Sequence, residues 1–448
     1  MIIKQYNDEA LAHYSYAIIS EGKMALVDPS RDPSPYYQLA EEHNTKIVAV
    51  FETHPHADFV SSHLQIHKET GATIYVSKMV GADYPHTSFD EGDEFQLGKV
   101  SIKGIHTPGH SPDGITFYAK DESSGDQAMF TGDTLFIGDV GRPDLREKAG
   151  NMTAKRKELA EMMYHTIQNK FNGYDDEVLI YPAHGAGSLC GKNMSDAASS
   201  TLGNERTGNW AFLAKSKEDF VKEILSDQPF IPSYFGYNVE INKRGAQNYE
   251  LAKAKVPTQL NVKSVEKDYL VVDARDEAEF KKGHLPGSIN IMGRSQQDKI
   301  ETWLGAIVQP EEKFYLVVGS YADRNRLLSR IAKIGYESQI LSVVVLAKNA
   351  EVKKQEKLNL EDFKSNQEKY TIIDIRNVPE HNNDPKFEAA KNHPLNELRE
   401  TAKNIDTTKP VVVHCAGGYR SAAGTSIIQS IIGGDTDVYD LSTAIEEF

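Results

Sequence analysis

The 448-residue chain is longer than a single hydrophobic core can serve, so two to four domains are expected. Acidic residues outnumber basic ones, 65 to 50, giving a formal net charge of −15, which disfavours nucleic acid or an anionic membrane as the main partner. No apolar run approaches the roughly 18 residues a membrane-spanning helix needs.

The first residues, Met1 to Glu9, lack the basic-then-apolar order of a signal peptide and are expected to form an edge strand of a cytoplasmic protein. Four further strands follow, each leading to a histidine or aspartate. Ile47–Phe51 leads to Thr53-His54-Pro55-His56-Ala57-Asp58, and Val100–His106 leads to Thr107-Pro108-Gly109-His110. Ala128–Phe130 leads to Thr131-Gly132-Asp133, and Val178–Ile180 leads to Pro182-Ala183-His184. Between the last two, Thr153–Phe171 carries Leu159, Met162, Met163, Thr166 and Ile167 at helical spacing. Rigid strands deliver loop side chains to one place, so six imidazole and carboxylate groups at strand ends point to a metal site of zinc or non-haem iron type.

A polar, lysine-rich stretch from Lys243 to Pro257 is expected to be a domain boundary. Beyond it the chain repeats itself. Leu270-Val271-Val272-Asp273-Ala274-Arg275 is echoed by Thr371-Ile372-Ile373-Asp374-Ile375-Arg376, and Leu316–Ser320 by Val412–Ala416. The expected division is residues 1–245, 255–350 and 355–448.

The two cysteines, Cys190 and Cys415, fall in different expected domains, so each is read as a free thiol rather than half of a disulfide. Cys415 directly follows an apolar run and opens Cys415-Ala416-Gly417-Gly418-Tyr419-Arg420-Ser421. Backbone N–H groups of such a loop form an anion nest, the following helix adds a positive N-terminus, and Arg420 adds a full charge. Together they stabilise a thiolate or persulfide. At the repeat-related position stands Gly319, in Gly319-Ser320-Tyr321-Ala322-Asp323-Arg324, so the first copy has no thiol with which to carry sulfur.

The first half resembles the metallo-β-lactamase fold, an αβ/βα sandwich with metals at one edge. Its two-zinc members carry His-x-His-x-Asp-His, and this chain has Phe59 at the last position, which removes a ligand of the second metal. The departure, together with Gly132–Phe136 and Val140-Gly141-Arg142-Pro143-Asp144-Leu145, resembles the persulfide dioxygenase branch. That resemblance implies one Fe(II) per chain, with zinc as the alternative, held by His54, His110 and Asp133. This two-histidine, one-carboxylate face leaves positions for dioxygen and substrate. His56, Asp58 and His184 become supporting groups or alternative metal ligands. Arg142 is placed near the thiol substrate, with a structural salt bridge as its other reading. Cys190, six positions after His184, is expected near the metal, or else buried and inert.

The second half resembles two rhodanese domains: a pseudo-rhodanese without catalytic cysteine, which docks or spaces, and a sulfurtransferase copy with Cys415, Gly417, Gly418 and Arg420. The first has the clearer opening, Val272–Arg275, Glu279-Phe280 and Gly283–Asn290; the second is degenerate there, with Glu380-His381 and His393-Pro394-Leu395. The whole order resembles the bacterial persulfide dioxygenase–rhodanese fusions of the CstB type. The resemblance implies a low-molecular-weight thiol persulfide, O2 and sulfite as partners, with glutathione, coenzyme A, bacillithiol or cysteine as the carrier. It implies a cytoplasmic dimer or tetramer and thiosulfate as the joint product. Two other readings are a hydroxyacylglutathione-type thioester hydrolase with two zinc ions, and a non-catalytic sulfur relay to a protein partner.

Overall fold

The structure is a computed structural model that describes residues 1–145, 155–434 and 436–448. It divides into two compact units. One comprises Met1–Leu251 with Ala332–Gly335, the other Ala252–Ile331 with Tyr336–Phe448. No described helix is long and apolar enough to cross a membrane.

The first unit is a sandwich of two six-stranded sheets. One runs in the order β1 (Ile2–Asp8), β2 (His13–Ser20), β3 (Lys23–Val27), β4 (Lys46–Phe51), β5 (Thr73–Val76), β6 (Thr87–Ser88). The other contains β7 (Glu94–Leu97), β8 (Val100–His106), β9 (Ile115–Asp121), β10 (Gln127–Gly132), β11 (Leu179–Pro182) and β12 (Ser200–Thr201), in reverse order across the sheet. β1 is an edge strand, as its alternation suggests, and pairs with β2 from Ile2 opposite Ile19 to Asp8 opposite His13.

Between the sheets lies a core of Tyr16, Ile18, Val27, Phe51, Val100, Ile102, Phe117 and Phe130. β4 reads as a continuous apolar run because Ile47, Ala49, Val50 and Phe51 are buried, whereas β2, buried throughout, hides among the polar residues His13, Ser15 and Ser20. The expected helix spans Arg156–Asn169 and buries Leu159, Met163, Thr166 and Ile167, while Met162 faces out. The expected first residues, 153 and 154, lie outside the described residues. The boundary between the two units, Leu251 to Ala252, falls inside the stretch expected to hold it, and that stretch is largely helical. Helices Tyr234–Arg244 and Tyr249–Ala254 occupy most of it, because their lysines and arginines line solvent-facing sides while Val239 and Tyr249 are buried.

The second unit holds the two repeats. The first is a parallel five-stranded sheet, in the order β13 (Thr258–Val262), β17 (Ile340–Leu346), β16 (Phe314–Val318), β14 (Leu270–Asp273), β15 (Ser288–Asn290). The second is a parallel four-stranded sheet, β19 (Lys391–Asn392), β18 (Thr371–Asp374), β20 (Val411–His414), β21 (Val438–Asp440). β14, β15, β16 and β17 correspond in order to β18, β19, β20 and β21.

The correspondence extends to side chains. Arg275 clamps Asp273 and the Gly283 carbonyl, as Arg376 clamps Asp374 and the Asp384 carbonyl. Asn290 caps the carbonyls of Asp273 and Arg275, as Asn392 caps those of Asp374 and Arg376. The degenerate opening of the second copy therefore builds the same frame.

Candidate metal centre and sulfur-transfer loop

At one edge of the sandwich, the loops after β4, β8, β10 and β11 bring His54, His110, Asp133 and His184 together, all buried. Gly132 makes this approach possible. It has φ +54°, and a Cβ there would lie 2.6 Å from Thr53 Oγ1, so only glycine lets β10 turn Asp133 against the His54 loop.

Asp133 Oδ2 accepts no hydrogen bond and faces His110 Nε2 at 3.5 Å and His54 Nε2 at 3.7 Å. Atoms about 2.1 Å from a shared ion stand about 3.0 Å apart at right angles and about 3.4 Å apart at the tetrahedral angle. All three donors lie within 4.8 Å of one another, and the two Asp133 distances exceed the right-angle value by about 0.5 to 0.7 Å, the shift by which they would close on one metal ion.

The tautomer of His54 is set from behind. Asp28 accepts from the Thr53 hydroxyl at 2.8 Å and from the Thr53 N–H at 2.7 Å. With its proton committed to Asp28, the hydroxyl accepts from His54 Nδ1 at 3.0 Å. That leaves the Nε2 lone pair directed at Asp133, the form a metal requires. The same Asp28 faces His56 Nε2 at 3.2 Å. Burial disfavours a charged His56, and Asp28 overrides it, so the imidazole pKa is raised.

The second group of ligating atoms behaves differently. His184 places Nδ1 2.7 Å from Asp133 Oδ1 and Nε2 2.8 Å from Asp58 Oδ2. Two carboxylates on one ring hold it as imidazolium: burial opposes the charge, and Asp133 and Asp58 raise its pKa well above the ordinary value. Burial likewise opposes ionisation of Asp133, and His184, His110 and His54 pull its pKa well down. Phe59 packs between His13, at 3.8 Å, and His56, at 4.4 Å, filling with an apolar ring the place where the two-metal motif has a donor.

Cys190 does reach this cluster, with its sulfur and the ligating atoms of Asp58 and His184 all within 4.8 Å of one another. Burial first, then the charges of Asp133 and Asp58, push its pKa well up and keep it a thiol. Arg142 is in the salt-bridge alternative. Its guanidinium forks onto Asp144, with both hydrogen bonds at 2.7 Å, and donates to the Leu189 carbonyl. Its N–H donates to the Cys190 carbonyl. It thus pins the Leu189-Cys190 backbone rather than presenting an open cation to an anionic substrate.

Three residues escaped the sequence reading. Asp28 follows an apolar run as the other site residues do, so the signal existed. Thr53 adjoined the motif. His13 had no signal, since only the β2 register brings it beside His184, its pKa lowered by burial and by His184 and His56.

In the second unit, Cys415 is buried at the end of β20. Gly418 has φ +93° and directs its N–H to the Cys415 sulfur at 3.2 Å, the inward-pointing arrangement of an anion nest. Helix Tyr419–Ile432 starts there. Arg420 forks onto Glu380 with both hydrogen bonds at 2.7 Å. Gly417 is exposed and leaves the mouth of the loop open.

In the first copy the corresponding loop is filled from within. The Asp323 carboxylate accepts from the Ser320 N–H at 3.1 Å, from the Ser320 hydroxyl at 2.8 Å and from Arg326 at 2.9 Å. Arg324, the counterpart of Arg420, turns to Thr258 and the Val256 carbonyl.

A buried cluster of metal-ligating side chains on a two-sheet sandwich, followed by parallel α/β repeats with one cysteine nest, defines a metal-binding enzyme domain joined to two rhodanese-like units. Comparison with known proteins agrees. The Metallo-beta-lactamase superfamily profile matches residues 8–184, and the Rhodanese-like domain profile matches 256–344 and 359–448. The mitochondrial persulfide dioxygenase ETHE1 of Homo sapiens is 30% identical over 221 residues, 49% of this chain and 78% of that protein.

A crystal structure of a metallo-beta-lactamase from Staphylococcus aureus superposes with a TM-score of 0.67 at 30% identity, covering 77% of this chain and 99% of that one. The cytoplasmic hydroxyacylglutathione hydrolase of Arabidopsis thaliana is 34% identical over a shorter stretch of 134 residues, 52% of that protein. The chain belongs to the persulfide dioxygenase family of the metallo-β-lactamase superfamily and carries two rhodanese-like domains.

Proposed function

We propose that this chain oxidises a low-molecular-weight thiol persulfide with O2 at a single Fe(II) and couples the product to sulfur transfer at Cys415. The observation that carries the first half is the His54–His110–Asp133 trio, whose donors suit one ion and whose neighbouring Phe59 removes a donor from a second. Iron, when bound, supplies the activation of dioxygen that organic side chains lack.

The chain's own groups hold and shape the site. Asp28, through Thr53, keeps His54 in the ligating tautomer, and His184 keeps Asp133 oriented. The balanced reaction is RSSH + O2 + H2O → RSH + sulfite + two protons. Cys190 lies close enough to meet a persulfide entering the site.

At the second centre, the Cys415 thiolate attacks the outer sulfur of a second thiol persulfide, the donor's S–S bond breaks, the thiol leaves with those electrons, and Cys415 is left as a persulfide. The lone pair on the sulfur of sulfite attacks the outer sulfur of Cys415–S–S⁻, the S–S bond breaks, and its electrons return to the Cys415 thiolate. Thiosulfate leaves. The Gly418 N–H and Arg420 hold negative charge at the loop throughout. Tethering the two centres in one chain raises the local concentration of sulfite at its acceptor step. The working units in this proposal are residues 1–245, 255–350 and 355–448.

Oxygen uptake by iron-loaded protein on glutathione, coenzyme A, bacillithiol and cysteine persulfides tests the reading. Asp133→Ala is expected to lose iron, measured by metal analysis, and to cut oxygen uptake by at least about a thousandfold. Thioester hydrolysis without oxygen uptake would instead establish the hydroxyacylglutathione-type reaction. Neither activity would leave the chain as a sulfur relay.

A further inference from the structure

Within the second unit, the copy without a cysteine touches the Cys415 loop directly on one side and braces it through Ser442 on the other. On one side, the Trp303 ring, from helix Ile300–Ile307 of the first copy, lies under the Arg420 guanidinium at 5.7 Å from centroid to Cζ. Trp303 is 8% exposed, so the pair is screened from water. The neighbouring Tyr419 hydroxyl donates to the Met292 carbonyl, again of the first copy, at 2.8 Å.

On the other side, Gly418 is pressed against the chain at Ser442 and Thr443. A Cβ on it would lie 2.8 Å from Ser442 C and Thr443 N. The Ser442 hydroxyl is tied at 2.8 and 3.0 Å to Glu277 of the first copy. Glu277 is itself paired with Lys281, which reaches Asp440 at the end of β21 at 2.8 Å. Arg420 therefore rests directly on the cysteine-free copy, and Gly418 rests on Ser442, which that copy's Glu277 holds.

We propose that the first copy is a working half of the sulfur-transfer site, with Trp303 as the positioning residue that holds Arg420 at the Cys415 loop. The inference rests on the reading of Cys415 as the sulfur carrier. Glu380 fixes the guanidinium edge, and Trp303 fixes its plane. With the ring removed, the fork rotates about Glu380 and its charge no longer stays over the nest. Packing alone does not explain the pairing, because the cation sits on a π face whose negative quadrupole attracts it. The Arg420 pKa shows the balance: burial lowers it, and Glu380 and then Cys415 raise it, so the cation senses the sulfur.

Full-length Trp303→Ala, Trp303→Leu and Trp303→Phe are compared for sulfur transfer from thiosulfate to cyanide. Alkylation of Cys415 by anionic iodoacetate and by neutral iodoacetamide is measured alongside by peptide mapping. Expected is a loss of about tenfold in kcat/KM for Trp303→Ala, with most of it recovered by Trp303→Phe. The iodoacetate-to-iodoacetamide rate ratio at Cys415 should fall severalfold in the Ala and Leu variants and be kept in Phe.

A ratio unchanged in Ala, or Leu behaving as Phe does, overturns the positioning role. If Ala does not fold, the Leu–Phe pair decides alone. Absence of thiocyanate with the wild-type protein overturns the Cys415 reading instead, so the two failures are distinguishable.

Discussion

The two rhodanese-like copies share a frame and differ in what sits in the loop. Asp273–Arg275–Asn290 and Asp374–Arg376–Asn392 make matching hydrogen bonds at equivalent strand ends. In the second copy the nest after β20 faces a sulfur. In the first, the nest after β16 has swallowed Asp323. A carboxylate that takes the Ser320 N–H and hydroxyl from within competes with an external anion for the loop and repels one that approaches. Loss of the thiol at Gly319 and occupation of the nest by Asp323 are thus two separate barriers to function, although the missing cysteine alone would explain the silence. What the first copy keeps is structural, including the surface that holds the other copy's loop.

The sharpest way to break the contrast is to remove the sulfur that makes it. Cys415→Ser is expected to abolish transfer, at least about a thousandfold, and to change the product of persulfide oxidation from thiosulfate to sulfite. Ion chromatography, with an enzyme-free control for spontaneous sulfite–persulfide reaction, would show unchanged thiosulfate if the coupling is wrong.

The converse experiment adds a thiol to the silent copy in a Cys415→Ser background. Gly319→Cys alone should stay inactive, because its sulfur would sit beside Asp323. A Cβ at position 319 already lies 3.4 Å from that carboxylate. Gly319→Cys with Asp323→Ala should show transfer measurable by thiocyanate formation. Equal activity of the single and double variants would mean that Asp323 is no barrier.

A smaller effect comes from the pairing of Arg420. Burial works to raise the Glu380 pKa, and the Arg420 hydrogen bonds and charge override it, so the carboxyl is held below the ordinary glutamate range. A depressed carboxylate contributes stability above its unfolded pKa of about 4.3 and loses it as pH falls through the lower folded value. Transfer activity should therefore show an acidic limb below the ordinary carboxylate range, and Glu380→Gln should lose that limb while reducing activity at pH 7 severalfold. A pH–rate profile that is identical in wild type and Glu380→Gln would remove Glu380 from the loop's charge balance.

Much of this was written in linear form. Short apolar runs bounded by turn residues read directly as β4, β8, β10 and β11, and strand ends are where a layered fold collects its ligands. Position after a strand exposed His54, His56, Asp58, His110, Asp133 and His184 together, with the trio His54, His110 and Asp133 singled out only by resemblance, and it exposed Cys415 and the missing thiol at Gly319. The polar stretch from Lys243 to Pro257 does hold the boundary between the two units, but its composition hid the helix Tyr249–Ala254, because helices that line solvent on one side resemble linkers in composition.

What sequence could not supply was the partner of each side chain. Arg142 looked like a substrate cation until Asp144 and Leu189 were seen to take its fork. Cys190 was six positions from His184 in the chain, but its approach to Asp58 depends on how two loops cross. Asp28 and His13 join the centre only through strand register, and Trp303 meets Arg420 across more than a hundred residues. Residue type and periodicity are local properties, so the sequence by itself determined the folds, the strand-end histidines and aspartates that gather at one edge of the sandwich, and the lone cysteine of the repeat loops. Side-chain pairing is a property of packed surfaces brought together from distant segments, so only the tertiary structure decided which charges are committed, which copy fills its own nest, and which residues hold the Cys415 loop.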